Sequence, residues 1–172
     1  MPRPAPVRVV GPLSWIVWPT LIALAVTIVL GTPIKLFRLS PPEPVIPLVL
    51  AFAWPLIRPS VLAPLALFAA GLFLDLFWGG PTGLWPLALL AVYGLTLFAR
   101  NFIVGQERRV LFAWYVGGVL LAYLIVYVAV AVQAQNAPSV IALVFGILPT
   151  ILLFPAANWM IETFDDGDMR FR

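Results

Sequence analysis

Among the side chains able to do chemistry, one carboxylate stands out because it lies inside an otherwise apolar stretch. Asp75 comes three residues before Trp78, and no other acidic residue lies within the apolar stretches of the chain. Ionisable side chains in such stretches are costly to bury and usually face the interior of a membrane protein. Asp75 therefore either fastens helices together or contacts a ligand or partner. A proton relay is weaker, because the stretches offer no second acidic group or histidine.

Two sets of hydrogen-bond donors are candidates for the Asp75 carboxylate. The tight turn at 79–83 brings the start of the following helix beside Asp75, so the free backbone N–H groups around 83–85 favour an anion there. The alternative donors are Lys35 and Arg38, which lie in an earlier polar segment.

Glycines share a helix face with this carboxylate. Phe68, Gly71, Asp75 and Gly79 follow one another at steps of three and four residues, which places them on one face of a helix. Gly71 and Gly79 predict that another backbone approaches this face closely.

The residue types that are missing limit the chemistry. The sequence contains no cysteine and no histidine, which excludes disulfides, thiol catalysis, Cys/His zinc sites and Ser–His or Cys–His nucleophile pairs. We expect no enzymatic activity, no cofactor and no metal site.

The composition indicates a membrane protein. Hydrophobic residues make up 63% of the 172 residues, charged residues make up 10%, and the mean hydropathy is +1.06. A globule of this size has too little interior to hide so much apolar surface from water. The solvent around most of the chain must therefore be lipid.

Apolar segments of nearly spanning length predict an all-α, polytopic bundle of transmembrane helices in a single domain. A spanning helix needs about 20 mostly apolar residues. The six predicted spans are 13–31, 45–57, 61–78, 84–103, 110–132 and 139–161, followed by a short cytoplasmic tail at 162–172.

The second span is unusual because it is short and contains Pro47 and Pro55. It either crosses as a short or tilted helix, or forms a re-entrant hairpin with the third segment. The hairpin would place Arg58 at mid-membrane at a cost of about 2.5–3.5 kcal/mol. We therefore favour a crossing, with Arg58 at the surface.

The distribution of positive charge predicts the orientation. Eight of the ten Lys and Arg fall on the side of the two termini and the second and fourth loops, and only Lys35 and Arg38 fall on the other side. Positive residues accumulate in cytoplasmic loops. Both termini are therefore predicted to be cytoplasmic.

The residues 71–84, GLFLDLFWGGPTGL, followed by an apolar helix containing Tyr93, resemble the signature of the rod shape-determining MreD family. The resemblance implies about six membrane helices and places the motif at Gly71, Asp75, Gly79, Pro81 and Gly83, as structural or partner-binding residues. Pro86 departs from the family pattern, which has a plain helix start after the turn.

The resemblance implies a non-enzymatic, multi-pass scaffold in the bacterial inner membrane that supports lateral peptidoglycan synthesis during cell elongation. Its implied partner is a bitopic MreC-like protein, together with RodA and its transpeptidase partner, and with MreB indirectly. The alternative is a vitamin-type substrate-binding subunit of a transporter, with a polar cavity near the outer face. An intramembrane enzyme is the third and least favoured reading, and the scattered positive charges do not favour nucleic acid binding.

Overall fold

The computed structural model describes residues 8–11, 13–31, 43–134, 139–165 and 169–171, which form a bundle of helices. A π-helical turn over Leu13–Val17 leads directly into the first α-helix. The helices are α1 (Trp18–Gly31), α2 (Pro47–Ile57), α3 (Leu62–Trp78), α4 (Leu84–Ile103), α5 (Arg108–Ala134), α6 (Val140–Ile151) and α7 (Phe154–Asp165). The predicted helical class is confirmed.

Two three-residue strands accompany the helices. β1 (Arg8–Val10) pairs in parallel with β2 (Met169–Phe171), with Arg8 opposite Met169. The prediction of an all-α chain omitted this pair. Its consequence is that the segment before the first helix and the segment after the last one lie side by side.

The short helix α2 lies at the centre of the bundle. Every residue from 47 to 56 is buried, and α2 packs most extensively against α4 and α7. Trp54 is fully buried, and its indole N–H donates to the carbonyl of Trp15 at 3.1 Å. Because residues 47–56 are all buried by the surrounding helices, the apolar character of α2 serves the protein core.

Three helical segments in the described part of the chain are long and apolar enough to cross a membrane. They are Leu84–Ile103, Arg108–Gln133 and Ile141–Phe164, of which the last comprises α6 and α7. The segments Trp15–Gly31, Pro47–Ile57 and Leu62–Trp78 are apolar but shorter. Each predicted span thus coincides with a helical segment, and the crossing of all six stays a prediction.

The last apolar segment is broken in two. Leu152 and Leu153 form a turn between α6 and α7. Pro149 lies before this turn and removes a backbone N–H from the ladder of α6, whereas Pro155 lies after it in the first turn of α7, where proline is tolerated. α6 then packs mainly against α5, whereas α7 returns to the centre of the bundle against α2.

Candidate functional site

Asp75 lies near the end of α3 with its side chain only 2% exposed. Its Oδ2 accepts the backbone N–H of Gly83 at 2.6 Å, and its Oδ1 accepts that of Trp85 at 3.1 Å. Both donors belong to the start of α4, where backbone N–H groups have no acceptor within the helix. This pair of bonds confirms the prediction that the turn satisfies the carboxylate. Lys35 and Arg38, the alternative donors, lie outside the described residues.

Asp75 accepts hydrogen bonds at two helix ends: its backbone carbonyl accepts at the end of α3, and its carboxylate accepts at the start of α4. The N–H groups of Gly79 and Gly80 both donate to the Asp75 carbonyl, at 3.0 Å for Gly80. Gly79 adopts a left-handed conformation with φ 65°, which is how many helices terminate. Asp75 therefore caps the C-terminal end of α3 with its carbonyl and the N-terminal end of α4 with its carboxylate.

Gly71 provides the close contact between α3 and α4. A Cβ atom added at Gly71 would lie 2.6 Å from the Cα of Pro86 and 2.8 Å from its ring. Only a residue without a side chain allows the two backbones to meet here, as predicted. Pro86 occupies the first turn of α4, where a missing N–H leaves no hydrogen bond unmade. The departure from the MreD pattern at Pro86 is thus part of this contact.

Gly79 plays a different part from the one predicted. An added Cβ there would meet no atom within 4 Å, so Gly79 does not serve a close backbone approach. That prediction is wrong, because the helix ends at this position and the chain turns away. Gly79 serves the turn through its positive φ instead, as does Gly83 with φ 101°.

The structure divides the five predicted motif residues into two groups. Gly71, Asp75 and Gly83 meet where α3 packs against the start of α4. Gly79 and Pro81 lie exposed at the tip of the turn. The motif therefore has a buried part, the contact of Gly71, Asp75 and Gly83, which we call the Asp75 fastening, and an exposed turn at Gly79 and Pro81.

Aromatic side chains surround the fastening. Trp78 and Trp85 contact edge to face with ring centroids 5.4 Å apart, and Trp85 contacts Tyr123 of α5 in the same way at 5.7 Å. The Trp78 indole N–H donates to the carboxylate of Glu43. These contacts tie the turn between α3 and α4 to α5 and to the segment that precedes α2.

A second buried polar cluster, centred on Thr150, escaped the sequence analysis. The Thr150 hydroxyl accepts the backbone N–H of Val45 at 3.1 Å and lies 3.2 Å from the Tyr123 hydroxyl, while it donates to the Gly146 carbonyl at 2.8 Å. Tyr115 donates to the Thr150 carbonyl at 2.8 Å. The sequence contained one indication of this cluster: Tyr115 and Tyr123 are eight residues apart and therefore lie on one face of α5.

Both clusters hold helices at places where the backbone ladder is interrupted. At Asp75 the interruption is the turn between α3 and α4, and at Thr150 it is the break between α6 and α7. In an apolar interior every unpaired backbone group is costly. The hydrogen-bonding groups of Asp75 and Thr150 therefore bind partners within the chain itself.

Comparison of the chain with protein-family models, with curated proteins and with solved structures finds no match.

Proposed function

We propose that this chain is a non-enzymatic scaffold that holds other membrane proteins in the bacterial inner membrane and supports cell elongation. The observation that carries the proposal is the use of Asp75. Its carboxylate is buried and accepts two backbone N–H groups of its own chain. A group engaged in this way stiffens a helical hairpin and is not offered to a substrate.

The family assignment within this proposal rests on the resemblance of residues 71–84 to the MreD signature. The geometry gives that motif a physical reason: Gly71 for the backbone contact, Asp75 for the two N–H groups, and Gly79 and Gly83 for the turn. The partners that the MreD resemblance implies are a bitopic MreC-like protein, RodA with its transpeptidase partner, and MreB indirectly.

An apolar groove offers a place for a partner's transmembrane helix. It has a volume of about 290 Å³ and lies between α1, α2 and α7. Trp18 and Trp159 flank it and are both largely exposed, whereas Ala23 and Ala156 provide small side chains in its lining. Small residues allow close helix packing in membranes, so this groove suits the single helix of a bitopic partner.

The transporter-subunit and enzyme alternatives lose support from the same observation. The transporter subunit requires a polar cavity near the outer face, for which Asp75 was one of the candidate lining groups, and the enzyme had Asp75 as its lone candidate group. Two bonds within the chain occupy the Asp75 carboxylate. The scaffold needs no such free group.

The proposal is tested by tagging the chain in its host, extracting it in a mild detergent and identifying the co-purified proteins by mass spectrometry. We expect a bitopic MreC-like protein in the eluate and loss of rod shape when the chain is depleted. Recovery of the chain alone, together with normal rods after depletion, contradicts the proposal.

A pair of variants tests the groove itself. Ala156→Trp fills it and is expected to lower recovery of the partner about fivefold, as overpacking an interface does. Leu152→Trp is the matched control, because Leu152 is 77% exposed and does not line the groove. Equal recovery with the two variants means that the partner binds elsewhere.

A further inference from the structure

A buried cationic group without an acceptor lies at the opposite end of α4 from Asp75. Within the residues that the structure describes, Arg100 Nε is the one buried side-chain nitrogen or oxygen atom that has no hydrogen-bond partner. The N–H donor of an ionised guanidinium is costly to leave unpaired where water does not reach it. Since no acceptor in the described part of the chain holds this nitrogen, an acceptor from another molecule would lower the free energy of the site.

Arg100 lies beside the connection between α2 and α3. Leu56, near the end of α2, lines one cavity together with Ile103 at the end of α4, and the Ser60 carbonyl accepts the Tyr93 hydroxyl at 3.2 Å. The connection therefore runs along α4 between the levels of Ile103 and Tyr93. Arg100 follows Tyr93 by seven residues, which is two helical turns, so both lie on the face of α4 that meets the connection. Helical side chains lean towards the start of their own helix, which directs Arg100 towards Ser60.

Arg58 adds a second positive charge at this end of the bundle. It ends α2, where its backbone N–H donates to the Trp54 carbonyl at 2.9 Å, and it is exposed in the connection to α3. Two guanidinium groups on one short stretch of surface attract an anion. A phosphate is the anion that matches the planar guanidinium best, because two of its oxygens accept parallel N–H bonds.

The surface beside Arg100 is apolar and exposed. Leu97, three residues earlier in α4, is 38% exposed, and Val61 at the start of α3 is 83% exposed. α4 is long and apolar enough to cross a membrane, and Arg100 lies in its last turn. This is the depth at which the headgroups of a bilayer meet its acyl chains. A phosphate that carries acyl chains suits these surroundings better than a free phosphate does.

We propose that Arg100, together with Arg58, binds the phosphate of an anionic phospholipid such as phosphatidylglycerol. Arg100 as a whole is only partly buried, so a rotation of its side chain brings Nε to a phosphate oxygen at the surface. The lipid carries a net negative charge, because the ammonium of a zwitterionic lipid already neutralises its phosphate and weakens the attraction to basic side chains. On the predicted orientation the lipid belongs to the inner leaflet. The site does not rest on the proposed scaffold function, since it uses neither the groove nor the Asp75 fastening.

The test exchanges the purified protein into nanodiscs of equal parts phosphatidylglycerol, phosphatidylethanolamine and phosphatidylcholine and identifies the retained lipids by native mass spectrometry. We expect phosphatidylglycerol to be enriched over the bulk mixture. Arg100→Lys should lower that enrichment about fivefold, because lysine keeps the charge but lacks both the Nε donor and the planar fork. Arg109→Gln is the matched control: Arg109 is exposed on α5, and loss of its charge should leave the enrichment unchanged.

Three results overturn the proposal. Absence of enrichment shows that the protein has no preference for an anionic lipid. Full enrichment with Arg100→Lys, or an equal loss with Arg109→Gln, shows that net charge alone attracts the lipid. Stabilisation by inorganic phosphate in a thermal-shift assay, without enrichment of the lipid, assigns the site to a free phosphate.

A measurement on the unchanged protein needs no variant to fold. Phosphatidylglycerol with a photoreactive group next to its phosphate should crosslink to peptides that contain residues 58–62 or 97–104, as mapped by mass spectrometry after proteolysis. Crosslinks confined to other peptides contradict the site.

Discussion

Asp75 stabilises the hairpin because backbone donors are fixed in place by the helix that carries them. The N–H groups of Gly83 and Trp85 point along the start of α4 whether or not an acceptor is present, and the carboxylate supplies both missing acceptors. Pro86 has no backbone N–H, so no third acceptor is needed in the first turn of α4. The carboxylate is thereby accommodated in an apolar surrounding by backbone donors, and no basic side chain bonds to it within the described part of the chain.

The Asp75 fastening predicts a large loss of stability for Asp75→Leu. This variant leaves the buried N–H of Trp85 and the partly buried N–H of Gly83 without acceptors, at a cost of about 1–3 kcal/mol for a buried group. We expect a melting temperature in detergent at least about 5 °C below that of the unchanged protein, with Asp75→Asn between the two. Thr82→Ala is the control, since Thr82 is exposed in the same turn. A melting temperature unaltered by Asp75→Leu rules out the fastening role.

Three glycine-to-alanine variants separate close contact from turn conformation. Gly71→Ala forces a methyl group against the Pro86 backbone and should cost about 1–3 kcal/mol. Gly79→Ala meets nothing but must adopt a positive φ, at about 1 kcal/mol. Gly94→Ala also meets nothing and lies within α4, so it should be neutral or stabilising. Any other order of melting temperatures contradicts this assignment of roles.

Among the helices, the break between α6 and α7 depends on its neighbours for hydrogen bonds. Thr150 sits just before the break and connects it to Tyr115 and Tyr123 of α5 and to the backbone of Val45. Val45 in turn lies two residues before the start of α2. The bend in the last segment and the position of the central helix are therefore coupled through one hydroxyl group.

Thr150→Val tests this coupling with little change of shape. The substitution removes the acceptor for the Val45 N–H and the partner of the Tyr123 hydroxyl, and we expect a loss of about 2 kcal/mol, or about 4–8 °C in melting temperature. Thr163→Val is the control, because Thr163 is bonded to its own helix only.

A double-mutant cycle with Tyr123→Phe adds a sharper measurement. Because both substitutions break the same hydroxyl contact, their effects on the melting temperature should sum to more than the effect of the double variant. Additive effects would show that the two side chains act separately.

For the whole molecule, the pairing of β1 with β2 bears on how the chain crosses the membrane. The strands bring residues 8–10 and 169–171 together, and two ends of a chain that meet on one side require an even number of crossings. Six crossings meet this requirement, whereas the number of crossings and the side of the termini stay predictions. The short α2 fits that path as a helix enclosed by the others.

The absence of cysteine from the sequence makes the orientation directly measurable. Single substitutions Thr82→Cys and Gln106→Cys place a thiol at exposed positions at opposite ends of α4. In spheroplasts, a membrane-impermeant maleimide should label the first directly and the second only after permeabilisation. Arg3→Cys and Arg172→Cys should behave like Gln106→Cys. Labelling of either terminus in intact spheroplasts contradicts the proposed topology.

Much of this molecule follows from its sequence, because hydropathy and turn chemistry are local. The helical segments lie where apolar runs of sufficient length occur, and the glycine-rich turn at 79–83 predicted the donors to Asp75 correctly. Spacing alone left two donor sets open for the carboxylate, the N–H groups at 83–85 and the side chains of Lys35 and Arg38, and the structure shows the bonds to the first set.

Long-range packing decided the rest. Residues 45–57 have the same apolar character as the other segments, and only the arrangement of α4 and α7 around them makes α2 the centre of the bundle. Thr150 and Val45 are 105 residues apart, and no local pattern pairs a threonine with a backbone N–H at that separation. Arg108 of α5 and Glu162 of α7 likewise line one cavity only because their helices pack together. The order of residues in the chain does not show how far apart two side chains on separate helices lie.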